Sequence, residues 1–166
     1  MSFIQNIFKK PKIYVCGNYI LRCSSYKHLP SNRISYCAMI LRDNLTVWTE
    51  SKVVPRENSI NAVNYTGIIS GLKYAIHLNI TSLTIETDNV EILSHLTRFA
   101  DNDKITYNCY DATIEMLLSK FENINFIIIN ADAILLCHKV AKQTINMYNE
   151  MLCSEKIINK LDFYEL

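Results

Sequence analysis

Residues 59–78, SINAVNYTGIISGLKYAIHL, and residues 79–89, NITSLTIETDN, hold the change of period that decides the fold. In the first stretch Asn64, Ile68, Leu72, Ala75 and Ile76 recur at helical spacing, and Ser59 stands where a side-chain oxygen accepts the first unpaired amides of a helix. In the second, Ser82 to Thr87 is short, rich in β-formers and bounded by polar residues, the pattern of a strand. Gly67 and Gly71 lie one helical turn apart. Each costs a helix roughly 1 kcal/mol relative to alanine, so their presence predicts that the helix backbone passes close to a neighbouring layer. The pair of stretches therefore reads as a central, buried helix feeding a strand.

Upstream, three β-rich segments are separated by polar clusters: Lys12 to Cys23, Arg33 to Arg42 and Leu45 to Val54. Asp43-Asn44 is a tight hairpin turn in prospect, which makes the second and third strands antiparallel neighbours. Ser24 to Asn32, with Pro30, is expected to link the first strand to the second. Downstream, Asn89 to Phe99 places Ile92, Leu93, Leu96 and Phe99 on one helical face. A polar loop around Asp101-Asn102-Asp103 precedes a third helix with the stripe Tyr110, Ile114, Leu117, Leu118 and Phe121. Ile124 to Ile129 is almost wholly apolar, as a strand covered on both faces would be, and Ala131 to Cys153 closes as a helix through Cys137, Ala141, Ile145, Tyr148 and Leu152. An antiparallel meander followed by crossover units predicts an α/β domain: a mixed five-stranded sheet flanked by helices.

The 166 residues suffice for one core, with 49% hydrophobic residues, 3 Gly and 3 Pro. The expected division is an N-terminal extension at 1–11, a domain at 12–153 and a tail at 154–166. The six cysteines (Cys16, Cys23, Cys37, Cys109, Cys137 and Cys153) form no CxxC pair and have no zinc-ligand spacing, so a reducing, intracellular and cytoplasmic setting is expected. Residues 1–12 have the wrong charge order for a signal peptide; of a small amphipathic anchor and a terminal turn packed on the domain, the turn is preferred. No apolar run is long enough to span a bilayer, so no membrane partner is expected. The net charge is +1, but residues 1–60 balance at +6 and residues 61–166 at −5. A basic first half suits phosphates, and an ordinary self-complementary surface suits the split as well. Ile-, Asn-, Lys- and Tyr-rich usage hints at an AT-rich genome such as that of a large DNA virus, and hence at a virus-associated setting.

Three fragments, in order and on the expected elements, resemble the type 1 ribonuclease H proteins. That family's first strand ends on Asp-Gly-Ser after a hydrophobic pair, where this chain has Ile13-Tyr14-Val15-Cys16-Gly17-Asn18. Its first helix opens Thr-Asn-Asn-x-Ala-Glu-Tyr and runs on to Gly-Leu, where this chain has Ser59-Ile60-Asn61-Ala62-Val63-Asn64-Tyr65 and then Gly71-Leu72. Its fourth strand ends on Asp-Ser before a helix, here Thr87-Asp88-Asn89. The resemblance spans about residues 12–141 and implies a ribonuclease H-like fold.

It also implies a chemistry. Such enzymes hydrolyse phosphodiesters with two magnesium ions held by four clustered carboxylates, which bind the hard cations and cancel their charge. Carried over, the first Asp falls on Cys16 and the helix Glu on Asn64, neither an anionic oxygen donor. The third position is Asp88. For the fourth, two registers are open: one retains Asp132, the other places Ile134 there, and Asp132 is preferred. Asp88 and Asp132 are thus the candidate metal ligands. The glycine-rich turn after the first Asp and the mobile histidine before the last helix have no counterparts.

Asp88 has a second role available, accepting hydrogen bonds from the helix N-terminus after it. Asn64 is expected to hydrogen-bond in the core, and His28, His77, His95 and His138 to be surface or satisfied histidines. The ten tyrosines could include base-stacking platforms, but with no Arg/Lys-aromatic cluster in the sequence most are expected to be core or half-buried. The first functional expectation is a catalytically inactive domain that binds nucleic acid, such as an RNA:DNA hybrid, or serves assembly, with no cofactor. The second is a protein-interaction subunit docking through an edge strand or the closing helix. The third is a residual magnesium-dependent ribonuclease using Asp88, Asp132 and substitutes such as Glu86 or Asp101.

Overall fold

The computed structural model describes residues 17–54, 59–100 and 109–161. Their order is β1 (Tyr19–His28), β2 (Arg33–Arg42), β3 (Leu45–Val54), α1 (Ile60–His77), β4 (Ser82–Thr87), α2 (Val90–Ala100), α3 (Asp111–Leu118), β5 (Asn123–Ile128) and α4 (Ala131–Leu161). The five strands form one sheet in the order β3-β2-β1-β4-β5. β1, β2 and β3 pair antiparallel, while β4 runs parallel to β1 and β5 parallel to β4. The predicted mixed sheet and its helical flanks are therefore present.

Local chemistry explains the joints. Asp43 and Asn44 both have positive φ, 51° and 66°, the geometry of a two-residue hairpin turn that matches strand twist. Ser59 caps α1 by accepting the Ala62 amide at 3.3 Å. A β-carbon on Gly67 would lie 2.5 Å from Cys23 Sγ and 2.9 Å from Tyr36, and one on Gly71 would strike the Leu21 methyls. The two glycines let α1 lie against β1 and β2.

The sheet has a core on each face. Odd residues of β1, including Leu21 and Cys23, join Tyr36, Ile40, Ile68, Leu72, Ile85, Ile92 and Ile114 under α1, α2 and α3. Ile20 on the other face joins Cys37, Met39, Leu41, Ile134, Cys137 and Ala141 under α4. α4 packs on β1, β2 and β3.

Two expected boundaries are corrected. Among the described residues the first strand begins at Tyr19, and it runs to His28 through residues expected to be linker. A single 3₁₀ turn, Leu29–Ser31, then reverses the chain, ending on Asn32 in the left-handed region. Ser24-Ser25-Tyr26 extends because every residue finds a partner on β2, from Ser24 opposite Cys37 to His28 opposite Arg33, and tertiary pairing overrides the turn-like polarity. At the other end α4 continues to Leu161, well into the expected tail. The expected extension at 1–11 and the residues aligned with the family's first strand up to Cys16 lie outside the described residues. No described helix is long and apolar enough to cross a membrane.

Candidate functional site

Asp88 follows the last residue of β4, beside the middle of the sheet. β1 runs parallel to β4 with Arg22 level with Glu86, and continuing that register two residues brings Ser24 level with Asp88. Ser24, Ser25, Asp88, Glu91 and His138 line one groove of about 520 Å³ between β1, β4 and the helix ends. Ser24 is almost fully buried, and its Oγ lies 3.5 Å from His138 Nδ1, which ties β1 to α4. The Ser25 Oγ is buried in the groove wall without a hydrogen-bond partner.

The helix-cap role that the sequence left open for Asp88 is filled by its neighbour. Asn89 Oδ1 accepts the Ile92 amide at 3.1 Å, and Asn89 Nδ2 donates to Asn61 Oδ1 at 2.8 Å. The exposed Asp88 carboxylate thus sits in the groove wall apart from the cap.

The other expected site residues are placed as follows. Asn64 is buried on α1 against β1, where the Cys23 thiol donates to its backbone carbonyl at 3.6 Å. Burial, followed by the negative potential of Cys37 and Asp88, pushes the Cys23 thiol well above its ordinary pKa, so it stays a protonated hydrophobe. Asp132 is exposed in the first turn of α4 and does not line the groove. Ile134 is buried in the core under α4. The α4 residue that reaches the groove is His138, which neither register considered. The buried stripe Cys137, Ala141 and Ile145 carries a signal for it, because the residue after Cys137 turns toward the end of β1. Glu86, a proposed substitute ligand, is largely buried and held by Arg22 in a 2.6 Å ion pair, and Asp101 lies outside the described residues.

The donor set does not fit a pair of magnesium ions. The groove offers the hydroxyls of Ser24 and Ser25, an imidazole and the carboxylates of Asp88 and Glu91, and Glu91 is already bonded by the Asn61 amide at 2.7 Å. Hard dications require clustered anionic oxygens, and an imidazole supplies none. Among the described residues no three His, Cys, Asp or Glu side chains are grouped closely enough to hold a metal ion.

A second groove, of about 640 Å³, adjoins the first and shares Asn61, Val90 and Glu91 with it. Its floor is a relay across three helices: Tyr65 Oη lies 2.6 Å from His95 Nδ1, and His95 Nε2 lies 3.5 Å from the fully buried Asp111. Burial first, then the negative charge of Asp111 and Glu91, pushes the Tyr65 phenol up to about 12. His95 is thus a satisfied histidine, and so is His28, whose Nδ1 accepts the Ser31 amide at 3.3 Å.

The described tyrosines are buried or half-buried, as expected, and three of them meet cations that the sequence did not display. Lys142 lies over Tyr26, Arg33 over Tyr148 and Arg42 over Tyr19, at 5.4 to 5.8 Å from the ring centroids. These residues come from β1, β2 and α4, so no local stretch of sequence displays the cluster.

Comparison with known proteins agrees with the fold. The family model for reverse transcriptase-like proteins matches residues 28–144, from the end of β1 into the first half of α4. No curated protein sequence matches. Among solved structures, an N-terminal ribonuclease H domain from Mycobacterium tuberculosis superposes with a TM-score of 0.69 at 14% identity, covering 82% of this chain and 99% of that one. Ribonuclease H1 of Halobacterium salinarum gives 0.66 at 13% identity, covering 78% of this chain and 98% of its own. LC11 ribonuclease H1, solved in complex with an RNA/DNA hybrid, gives 0.66 at 13% identity over 79% of this chain and 99% of that chain. With the matched model covering most of the chain and the sheet order in agreement, this protein belongs to the reverse transcriptase-like family and has the fold of the type 1 ribonucleases H.

Proposed function

We propose that this is a catalytically inactive ribonuclease H-like domain that works by binding nucleic acid, with an RNA:DNA hybrid as the first ligand to test. The observation that carries the reading is the composition of the Asp88 groove: Ser24 and His138 flank the aspartate where a two-ion site requires further carboxylates. Without them the groove lacks the negative charge that holds paired cations, and several kcal/mol of transition-state stabilisation goes with those ions. The hybrid seen on the LC11 enzyme supports nucleic acid as the ligand class.

The deciding experiment incubates the full chain with a labelled hybrid in magnesium and, separately, in manganese, beside an active ribonuclease H. Binding without cleavage is the expected result. Metal-dependent cleavage abolished by Asp88→Asn would overturn the inactive reading and favour a residual ribonuclease.

A protein-interaction role is the second reading, favoured by β5. That strand ends the sheet, carries no charged residue from Asn123 to Ile128, and leaves Ile127 and Ile128 exposed. Uncharged apolar edges invite pairing with another chain.

A further inference from the structure

The contact between Ser24 and His138 begins a line of side chains that leaves the Asp88 groove and follows α4. Tyr26, two residues along the same face of β1, stands edge-on to His138 with ring centroids 5.4 Å apart. One turn further along α4, the Lys142 ammonium lies 5.7 Å from the centroid of that tyrosine. His28 follows on β1, its Nδ1 3.4 Å from Asn149 Nδ2. Asn149 Oδ1 accepts from the Arg33 guanidinium at 2.6 Å, and the guanidinium lies 5.4 Å from the centre of the Tyr148 ring.

The stripe from His138 to Asn149 runs about 16 Å along the helix axis. No acid occurs on α4 between those two residues, and Glu150 is the first beyond them. Two fixed cations and two imidazoles therefore stand in a row with no carboxylate among them. The tyrosine faces draw the cationic heads toward fixed positions. Lys142 and Arg33 then have less side-chain freedom left to lose on binding. Cations pre-placed in a row suit a phosphate backbone, whose contacts supply affinity and register and leave base sequence unread.

We infer that the β1–α4 stripe, with Lys142 and Arg33 as its charges, His138 at its groove end and His28 beside Arg33, binds the phosphate backbone of a nucleic-acid strand that passes the Asp88 groove. The inference rests on the nucleic-acid reading above and adds to it the face and the residues. It needs no metal and no cleavage.

Fluorescence anisotropy of a labelled RNA:DNA hybrid, titrated with the full chain at several salt concentrations, tests it. Log affinity falls with log salt in proportion to the phosphates neutralised, by about 0.9 per contact. Lys142→Gln is expected to flatten that slope by about 1 and to weaken binding several-fold at low salt. Arg33→Met is expected to act in the same direction. Lys120→Gln, in the exposed turn after α3, is expected to leave slope and affinity unchanged. Arg33 also anchors Asn149, so its variant is read only beside a circular dichroism spectrum and urea midpoint, whereas Lys142 is exposed and its replacement leaves the core intact.

If the unmodified chain binds the hybrid steeply with salt and Lys142→Gln retains the full slope, the stripe is wrong and the nucleic-acid reading survives. If the unmodified chain binds neither hybrid, duplex nor single strand at low salt, both fall together.

Discussion

Ser24 Oγ and His138 Nδ1 meet at 3.5 Å beside Asp88, joining β1 to α4 at the head of the groove. A hydroxyl and an imidazole at this point explain the poor fit to paired hard cations.

Restoring negative charge there should restore cation binding. Ser24→Asp with His138→Asp places four carboxylates, counting Asp88 and Glu91, around one groove. Manganese affinity measured by calorimetry is expected to rise at least tenfold, about 1.4 kcal/mol. Without metal the same variant should melt lower, because its carboxylates repel. Equal manganese affinity in the two proteins would remove the electrostatic account of the site.

The Arg22–Glu86 pair makes a separate test. The Glu86 side chain is 11% exposed and Arg22 24%, so removing the arginine strands a largely buried carboxylate. Arg22→Met is expected to cost about 3 kcal/mol in urea unfolding, and Arg22→Met with Glu86→Leu to recover most of it. A single variant as stable as the parent would show the pair to be an ordinary surface contact.

α1 lies close to the sheet because of its glycines. Gly71→Ala drives a methyl into Leu21 in a sealed core, and the strain should exceed the gain in helix propensity, for a net loss of 1–3 kcal/mol by order of magnitude. Lys73→Ala, on the exposed side of the same helix, should change stability by less than about 0.5 kcal/mol. Equal denaturation midpoints for the two variants would contradict the packing.

Alkali should loosen the junction of α1, α2 and α3. The folded Tyr65 phenol is pushed up to about 12, above its ordinary value near 10. A raised folded pKa means the native state holds the proton more tightly. Its contribution is therefore complete below about pH 10 and is lost as pH rises toward 12. Urea midpoints taken from pH 9 upward should fall across that window. Tyr65→Phe should be less stable at neutral pH and show a shallower alkaline decline. Identical alkaline slopes in the two proteins would refute the assignment.

The sequence alone determined what depends on neighbours along the chain. Helical spacing in 59–78, the positive-φ turn at Asp43-Asn44, the short strand before Asp88 and the buried stripe of α4 are all local patterns, and each reappears in the structure within a few residues. The crossover order followed from them, and with it the sheet. Asp88 was singled out by the resemblance of Thr87-Asp88-Asn89 to the end of the ribonuclease H fourth strand.

What only the tertiary structure decided is which residues stand beside Asp88. That depends on strand register and helix phase between segments more than a hundred residues apart, such as Ser24 with His138 and Arg33 with Asn149. The polar run Ser24 to His28 looks like a loop by composition, yet pairing with β2 satisfies its backbone and extends the strand past Cys23. That extension brings Ser24 to the groove as the β1 residue level with Asp88. The cation-aromatic stripe is hidden from sequence for the same reason. Electrostatic and ring contacts depend on distance in space, and the fold alone sets that distance for residues this far apart.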